Sequence, residues 1–413
     1  MDPTAVSVTF DLPFALTALA FVLGGALLGT ISGLTPGLHA NNFALLLAAA
    51  APTIPGPPLL VGAAMLSAGV VHTFLDVVPA LALGVPDADM AVMALPGHRL
   101  VIEGRGREAL RLSALGSALA VVFAVPLAIP ITSLMVWLWP TLAANMVLVL
   151  LGVVTIMLLT ERSRRARIGG LLAFSISALL GLATLDLSPS SPLAGDVLAP
   201  LFAGLFGAPI LIDAMGGAGV PRQDDPRILI PRRAVLLPAA AGTLAGAIVG
   251  YLPGVSSAIA AVIALLALPG DDGDRGFVVA TSGVNTANTV FALFALVALG
   301  TPRTGVLVTF ERASVPLELP VLLCSVGIAA AIGFALVLVV GDRFLRAIGR
   351  VDYATLCVLV LGLLVVLSYA FAGAIGIVVF LVSSAVGFVP VRLGAARVHL
   401  MGVLIGPIAL WYY

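Results

Sequence analysis

Residues 29–47 read GTISGLTPGLHANNFALLL, and residues 246–255 read GAIVGYLPGV. Glycines fall at 29 and 33 and again at 246 and 250. Each set is followed by a Pro-Gly pair, Pro36-Gly37 and Pro253-Gly254. Both stretches lie between apolar runs. Proline removes a backbone donor and pushes the residue before it out of the helical region, so each stretch stops a helix. A helix that stops inside a bilayer frees backbone groups that only protein or enclosed water can satisfy. Two such breaks at matched places are the feature from which the fold is read.

The surrounding composition sets the medium. The chain has 413 residues, 61% hydrophobic and 10% charged, with mean hydropathy +1.19. That leaves too little polar surface for a soluble domain of this size, and the chain reads as an integral membrane protein. Apolar runs recur along its length, each near the ~20 residues a helix needs to cross a bilayer. Alternating strand patterns are absent, which predicts helices and not a barrel. The longest polar stretches, 87–107 and 213–233, are too short for a soluble domain. All 20 basic residues are Arg, balanced by 20 acidic residues. Cys324 and Cys357 stand in apolar runs, with no disulfide framework and no metal spacing. The first apolar run has no basic residue ahead of it, which predicts no cleaved signal peptide.

Five segment pairs match in order. GTISGLTPGL (29–38) pairs with GAIVGYLPGV (246–255), and HTFLDVVPALALGVP (72–86) with NTVFALFALVALGTP (288–302). EALRLSALGSALAVV (108–122) sits against ELPVLLCSVGIAAAI (318–332). GGLLAFSISALLGL (169–182) pairs with IGIVVFLVSSAVGF (375–388), and LFAGLFGAPI (201–210) with LMGVLIGPIA (400–409). The order predicts two halves, 1–220 and 221–413. Arg concentrates on the cytoplasmic side of membrane proteins. Placing Arg275 and the Arg-rich stretches 99–111, 162–167, 222–233, 343–350 and 392–397 inside leaves only Arg303 and Arg312 outside. Matched helices then run in opposite directions, with both termini outside. The expected fold is an all-α polytopic membrane protein of two inverted-topology repeats. Each repeat has a Pro-Gly-broken helix or re-entrant hairpin (38–51 and 255–269) plus about five spanning helices. Inverted halves with broken helices are the architecture of secondary transporters, which bind substrate near the bilayer midplane.

A helix that starts after a Pro-Gly break presents unpaired amides and the positive end of its dipole, a natural anion site. The polar inventory gathers there. Four of the five Asn are Asn41, Asn42, Asn285 and Asn288, joined by His39, Ser256, Ser257, Thr286 and Thr289. Neutral donors of this kind suit carboxylate or phosphate oxygens. The expected substrate site is therefore Pro36, Gly37, His39, Asn41, Asn42, Pro253, Gly254, Ser256, Ser257, Asn285, Thr286 and Asn288. These amides could equally bond broken backbone or join helices. His72 and Asp76 lie one turn apart on a spanning helix and share a face. An ionisable residue inside the membrane is a functional candidate by default, so the pair is the expected site for a coupling Na⁺ or H⁺. A buried pair that merely holds the helix is the competing reading. The loop 96–111 and RSRRAR (162–167) read as positive-inside anchors, with headgroup binding or gating as the alternative for 96–111. No Walker or dinucleotide pattern occurs, and His98 and His399 lack metal-ligand spacing. No catalytic constellation beyond His72–Asp76 and no cofactor are expected, so the chain does not read as an enzyme.

These motifs resemble the large membrane subunit of the tripartite tricarboxylate transporter permease family (TctA-like), in its shorter archaeal-type branch. The resemblance rests on G-x-x-x-G-x-x-P-G and its repeat at 246–254, on PGHRLVIEGRGREALRLSALGS (96–117) and on GLFGAPILI (204–212). It spans essentially the whole chain. It implies ion-coupled uptake of citrate-like carboxylates across the cell membrane, together with a small membrane subunit and an extracellular binding protein. The paired breaks are also similar to those of polyprenyl-phosphate translocases, so a lipid phosphate stands as the alternative substrate. Beyond the lipid bilayer and these partners, a homodimer is left open and no nucleic acid is expected.

Overall fold

The structure is a computed structural model. It describes residues 11–36, 43–44, 47, 54–84, 94–193, 196–216, 220–252, 257, 260–261, 264, 273–350 and 352–413. Among the described residues every regular element is a helix. Eight of these helices are long and apolar enough to cross a membrane. The chain is a polytopic all-α membrane protein.

The N-terminal set is α1 (Leu12–Leu34), α2 (Pro58–Leu75), α3 (Val77–Leu83), α4 (Ala94–Ile102), α5 (Gly106–Ala144), α6 (Met146–Leu159), α7 (Arg164–Thr184) and α8 (Leu198–Ala214). The C-terminal set is α9 (Arg233–Tyr251), α10 (Gly273–Leu299), α11 (Gly305–Arg312), α12 (Leu319–Ile348), α13 (353–371), α14 (374–393) and α15 (Arg397–Trp411). α13 and α14 part at Ala372-Gly373, where Gly373 takes φ 59°. A side chain would be strained there, so glycine makes the hairpin. Short polar caps start several helices. Asp11 accepts from the Phe14 amide, Ser163 from the Ala166 amide and Asp352 from the Thr355 amide. At 39 residues α5 is about 58 Å long, well beyond a ~30 Å hydrocarbon core. Its ends must therefore stand outside the apolar layer.

Small residues bring the helices together, as expected where lipid offers no hydrophobic drive between them. A methyl at Gly25 or Gly29 of α1 would run into the carbonyls of Ala64 and Ala68 on α2. In the same way Gly242 of α9 lies on the carbonyl of Ala280, and Gly246 on that of Val284, both on α10. Other contacts join the N-terminal set to the C-terminal set. Gly116 of α5 lies on the Val279 carbonyl of α10, and Gly333 of α12 lies on Phe74 of α2. Gly402 of α15 abuts the Phe174 carbonyl of α7, and Gly204 of α8 abuts the Phe380 carbonyl of α14. Phe174 and Phe380 occupy equivalent places in the matched segments 169–182 and 375–388. The result is one continuous central core in which α1, α2, α5, α9, α10 and α12 pack on one another, with a second apolar cluster of α6–α8 and α13–α15 beside it.

The sequence reading of 96–111 as a loop needs correction. Residues 94–102 form α4, a turn follows, and α5 begins at Gly106. Gly104 (φ 80°) supplies the left-handed residue of that turn, and the Arg105 amide closes it on the Leu100 carbonyl. His98 ties α4 down through Nδ1 to the Leu81 carbonyl at 2.7 Å, and burial pushes its imidazole below the usual histidine range.

Candidate functional site

The first helix of each set stops where the Pro-Gly motif predicts. α1 ends at Leu34, and Thr35 is extended (φ −86°, ψ 109°) before Pro36. α9 ends at Tyr251, and Leu252 is extended (φ −95°, ψ 121°) before Pro253. Seven of the predicted substrate residues, Gly37, His39, Asn41, Asn42, Pro253, Gly254 and Ser256, lie outside the described residues. So does most of 38–51 and 255–269, and with it the choice between re-entrant and spanning helices.

Of the remaining predicted residues, Asp76, Asn285 and Thr286 meet where α2 and α3 pack on α10. Thr73 and Thr286 hydroxyls pair at 3.3 Å, and Asn285 donates Nδ2–H to Asp76 Oδ2 at 2.7 Å. Thr286 is the middle residue of Gly273–Leu299, and Thr73 lies within three residues of the middle of Pro58–Leu83. Two spanning helices that touch at their midpoints touch near mid-depth. Asp76 and Asn285 are 4% and 3% exposed. His72 is buried one turn away and pairs through Nδ1 with Ser32 Oγ of α1 at 2.9 Å. The two roles that the sequence kept apart, coupling at Asp76 and substrate binding at Asn285, are thus joined by one hydrogen bond.

The helix carrying Asp76 is not continuous. α2 ends at Leu75, Asp76 forms a turn and α3 starts at Val77. Pro79 lacks an N–H and cannot donate to the Leu75 carbonyl, which sets the break at this point. Asp76 therefore sits where one intrahelical hydrogen bond is missing, while its own backbone stays helical (φ −57°, ψ −26°). Asn288, one turn beyond Asn285, keeps a buried Oδ1 without a hydrogen-bond partner among the described residues, and Ser257 Oγ is in the same condition. Buried polar atoms of this kind are rare and call for a partner that the described residues do not supply.

A second polar cluster lies at the Arg-rich end. Glu108, 1% exposed, receives Arg105 at 2.6 Å, Arg275 at 3.1 Å and the Leu229 amide at 3.2 Å. Asp342 of α12 receives Arg107 at 2.9 Å and Arg111 at 3.3 Å. Arg99 reaches Asp274 at 3.1 Å. The extended chain at 220–229 closes over the turn after α4. Gln223 accepts from the Gly106 amide at 2.7 Å and donates to the Val101 carbonyl at 3.0 Å. These arginines are committed to carboxylates of the protein itself, which argues against a free headgroup-binding surface at 99–111. Near the opposite end of α5, Arg303 stacks on Trp139 with its guanidinium carbon 4.7 Å from the ring centre. Burial lowers its basicity. His399 is not a lone histidine: its Nε2 meets Glu161 Oε1 at 2.9 Å.

Sequence reasoning missed Ser32, Thr73, Asp342 and the break at Asp76. Pro79, three residues after a carboxylate in an apolar run, was the available signal for the break.

A polytopic helical protein with a buried polar crossing at mid-depth defines an integral membrane protein of the transporter class. The chain belongs to the tripartite tricarboxylate transporter TctA family, which matches residues 19–402. It is also 26% identical over 407 residues to an uncharacterized protein, MJ1079, of Methanocaldococcus jannaschii. That match covers 95% of this chain and 98% of the relative. No solved structure matches the chain. The family is one of membrane transporters whose tripartite systems include further subunits.

Proposed function

We propose that the protein is a secondary transporter of an organic anion, a citrate-like carboxylate, coupled to Na⁺ or H⁺. The observation that carries this reading is the Asp76–Asn285 hydrogen bond at the crossing of α2/α3 with α10. Substrate would be held by Asn285, Thr286, Asn288 and Ser257, with the amides and side chains that follow Pro36-Gly37 and Pro253-Gly254. The Oδ1 of Asn288, an acceptor without a partner among the described residues, supports this because it suits the hydroxyl of a citrate-like substrate or the coupling Na⁺. Asp76, with His72 beside it, would carry the coupling ion. The halves 1–220 and 221–413 would be inverted repeats that alternate access around the crossing. The equivalent glycine contacts of α1 on α2 and α9 on α10, and of α15 on α7 and α8 on α14, support that relation.

The chain would lie in the cell membrane with its Arg-rich end cytoplasmic and both termini outside. It would act without a catalytic step and with no cofactor beyond the coupling ion. The family's tripartite systems support a small membrane subunit and an extracellular binding protein as partners. The deciding experiment is uptake into liposomes holding the purified protein. Citrate and smaller carboxylates should accumulate when a Na⁺ or H⁺ gradient is imposed. No gradient-dependent uptake across the panel would sink the proposal.

One observation favours the lipid-phosphate alternative. A lateral groove of about 400 Å³ runs between α5 and α10, lined by Ile129, Thr132, Ser133, Val136 and Phe294. Ile129 is 70% exposed, so the groove opens toward lipid. Stabilisation by polyprenyl phosphate and not by citrate would select this reading.

A further inference from the structure

We propose that Arg107 and Arg111 form an oxyanion subsite between the buried crossing and the Arg-rich end, and that Asp342 fills it in this conformation in place of a substrate carboxylate. The inference rests on the organic-anion reading above. Arg107 gives Nε–H and Nη2–H to a single oxygen of Asp342, at 3.2 and 2.9 Å. Arg111 reaches both oxygens, at 3.3 and 3.4 Å. The two arginines stand one turn apart on α5, so their guanidinium groups face the same way. Planar donors in this arrangement recognise any carboxylate, whether it belongs to the chain or to a ligand.

Two guanidinium groups converge on the one side-chain carboxylate of Asp342, where a helix-to-helix tie would need only one. Arg346 lies beyond the pair and donates to the Asp342 main-chain carbonyl at 3.1 Å. The place also adjoins the crossing. Asp342 follows Gly341, and a methyl at Gly341 would meet Leu110 at 2.8 Å and Val78 at 3.4 Å. Val78 is two residues beyond Asp76.

The partition of ion pairs allows the site to open. Glu108 holds Arg275, so α5 stays with α10. Asp342 belongs to α12, which packs on α1 and α2 as well as on α5. When α5 and α12 separate, Asp342 leaves with α12. Arg107 and Arg111 then remain on α5, free to take a carboxylate moving from the crossing.

The test is citrate binding to the purified full-length protein by calorimetry. Asp342→Asn should bind citrate about tenfold more tightly than wild type, as expected for freeing two guanidinium donors. That gain should vanish in the triple variant Asp342→Asn/Arg107→Gln/Arg111→Gln. No gain in the single variant, or a gain that persists in the triple, overturns the proposal. Inorganic phosphate serves as the second probe, and a gain for phosphate with none for citrate overturns the carboxylate assignment. Citrate binding to Asp342→Asn that ignores Asn288→Ala would instead reject the crossing as substrate site while keeping the subsite. Should Asp342→Asn not fold, Arg111→Gln decides, because Arg107 still holds Asp342 there. It should raise the half-saturating citrate concentration for transport from the Arg-rich side about tenfold while leaving Tm near that of wild type. Unchanged kinetics overturn the proposal.

Discussion

Glu108 and Asp76 are both buried carboxylates, 1% and 4% exposed, yet their partners differ in kind. Glu108 sits at the Arg-rich end and receives two guanidinium groups and an amide. Asp76 sits at a helix interruption near mid-depth and receives the amide of Asn285. A carboxylate clamped by two guanidinium groups and an amide fixes the helices that carry them, and removing either cation is costly. The Asp76 carboxylate meets the uncharged amide of Asn285, in the region proposed to exchange a ligand. The difference separates the part of the molecule that clamps helices from the part that can exchange a ligand.

Predictions sharpen that contrast. Glu108→Ala should have the largest effect on stability. It strands Arg105 and Arg275, each about a quarter exposed, and should cost about 2–3 kcal/mol, less than for a fully buried pair. Thermal unfolding in detergent measures it, and a loss below about 1 kcal/mol would remove the distinction drawn between the two ends. Gly246→Val should come next. A side chain there meets Ala287 at 2.6 Å and the Val284 carbonyl at 2.8 Å, on the very stretch of α10 that carries Asn285 and Asn288. Overpacking should cost about 1–3 kcal/mol and weaken citrate binding with it. Affinity that survives while stability falls would detach the α9–α10 contact from the site.

Asn288→Ala should reduce citrate affinity about tenfold with no loss of stability, because it removes a polar atom that the protein leaves unpaired. Calorimetry beside thermal unfolding reports both quantities, and the reverse pattern would make Asn288 a strut between helices. Asp76→Asn should change stability least, by less than about 1 kcal/mol, since the amide oxygen of an Asn there can still accept the Asn285 N–H. Its effect should appear in transport instead. Citrate should still exchange across the liposome membrane but no longer accumulate under a Na⁺ or H⁺ gradient. Gradient-driven accumulation by this variant would refute the coupling role.

The helical layout is largely legible in the sequence. The apolar runs 14–33, 142–160 and 374–390 correspond to α1, α6 and α14 within a few residues, because each is closed by Pro, Gly or polar residues. Pro36 and Pro253 likewise mark the ends of α1 and α9. The site is legible in part. Asp76 stands out as a carboxylate in an apolar run, and Asn285 as an amide in another. Their contact is not readable, since 209 residues separate them and no periodicity links the two helices. Asp342 is hidden for a different reason. It lies in the last turns of an apolar helix beside Arg343 and Arg346, where a charged residue looks like an interfacial anchor.

Composition, the paired Pro-Gly motifs and the run lengths determined by themselves that this chain is a helical membrane protein whose helices stop just before Pro36 and Pro253. Those properties are local: they follow from transfer to lipid and from the missing proline donor. Only the tertiary structure decided that Asp76 faces Asn285 and that Arg107 and Arg111 share Asp342. Partner choice depends on which glycine faces let two backbones approach, and a chain shows its glycines without showing what will lie against them.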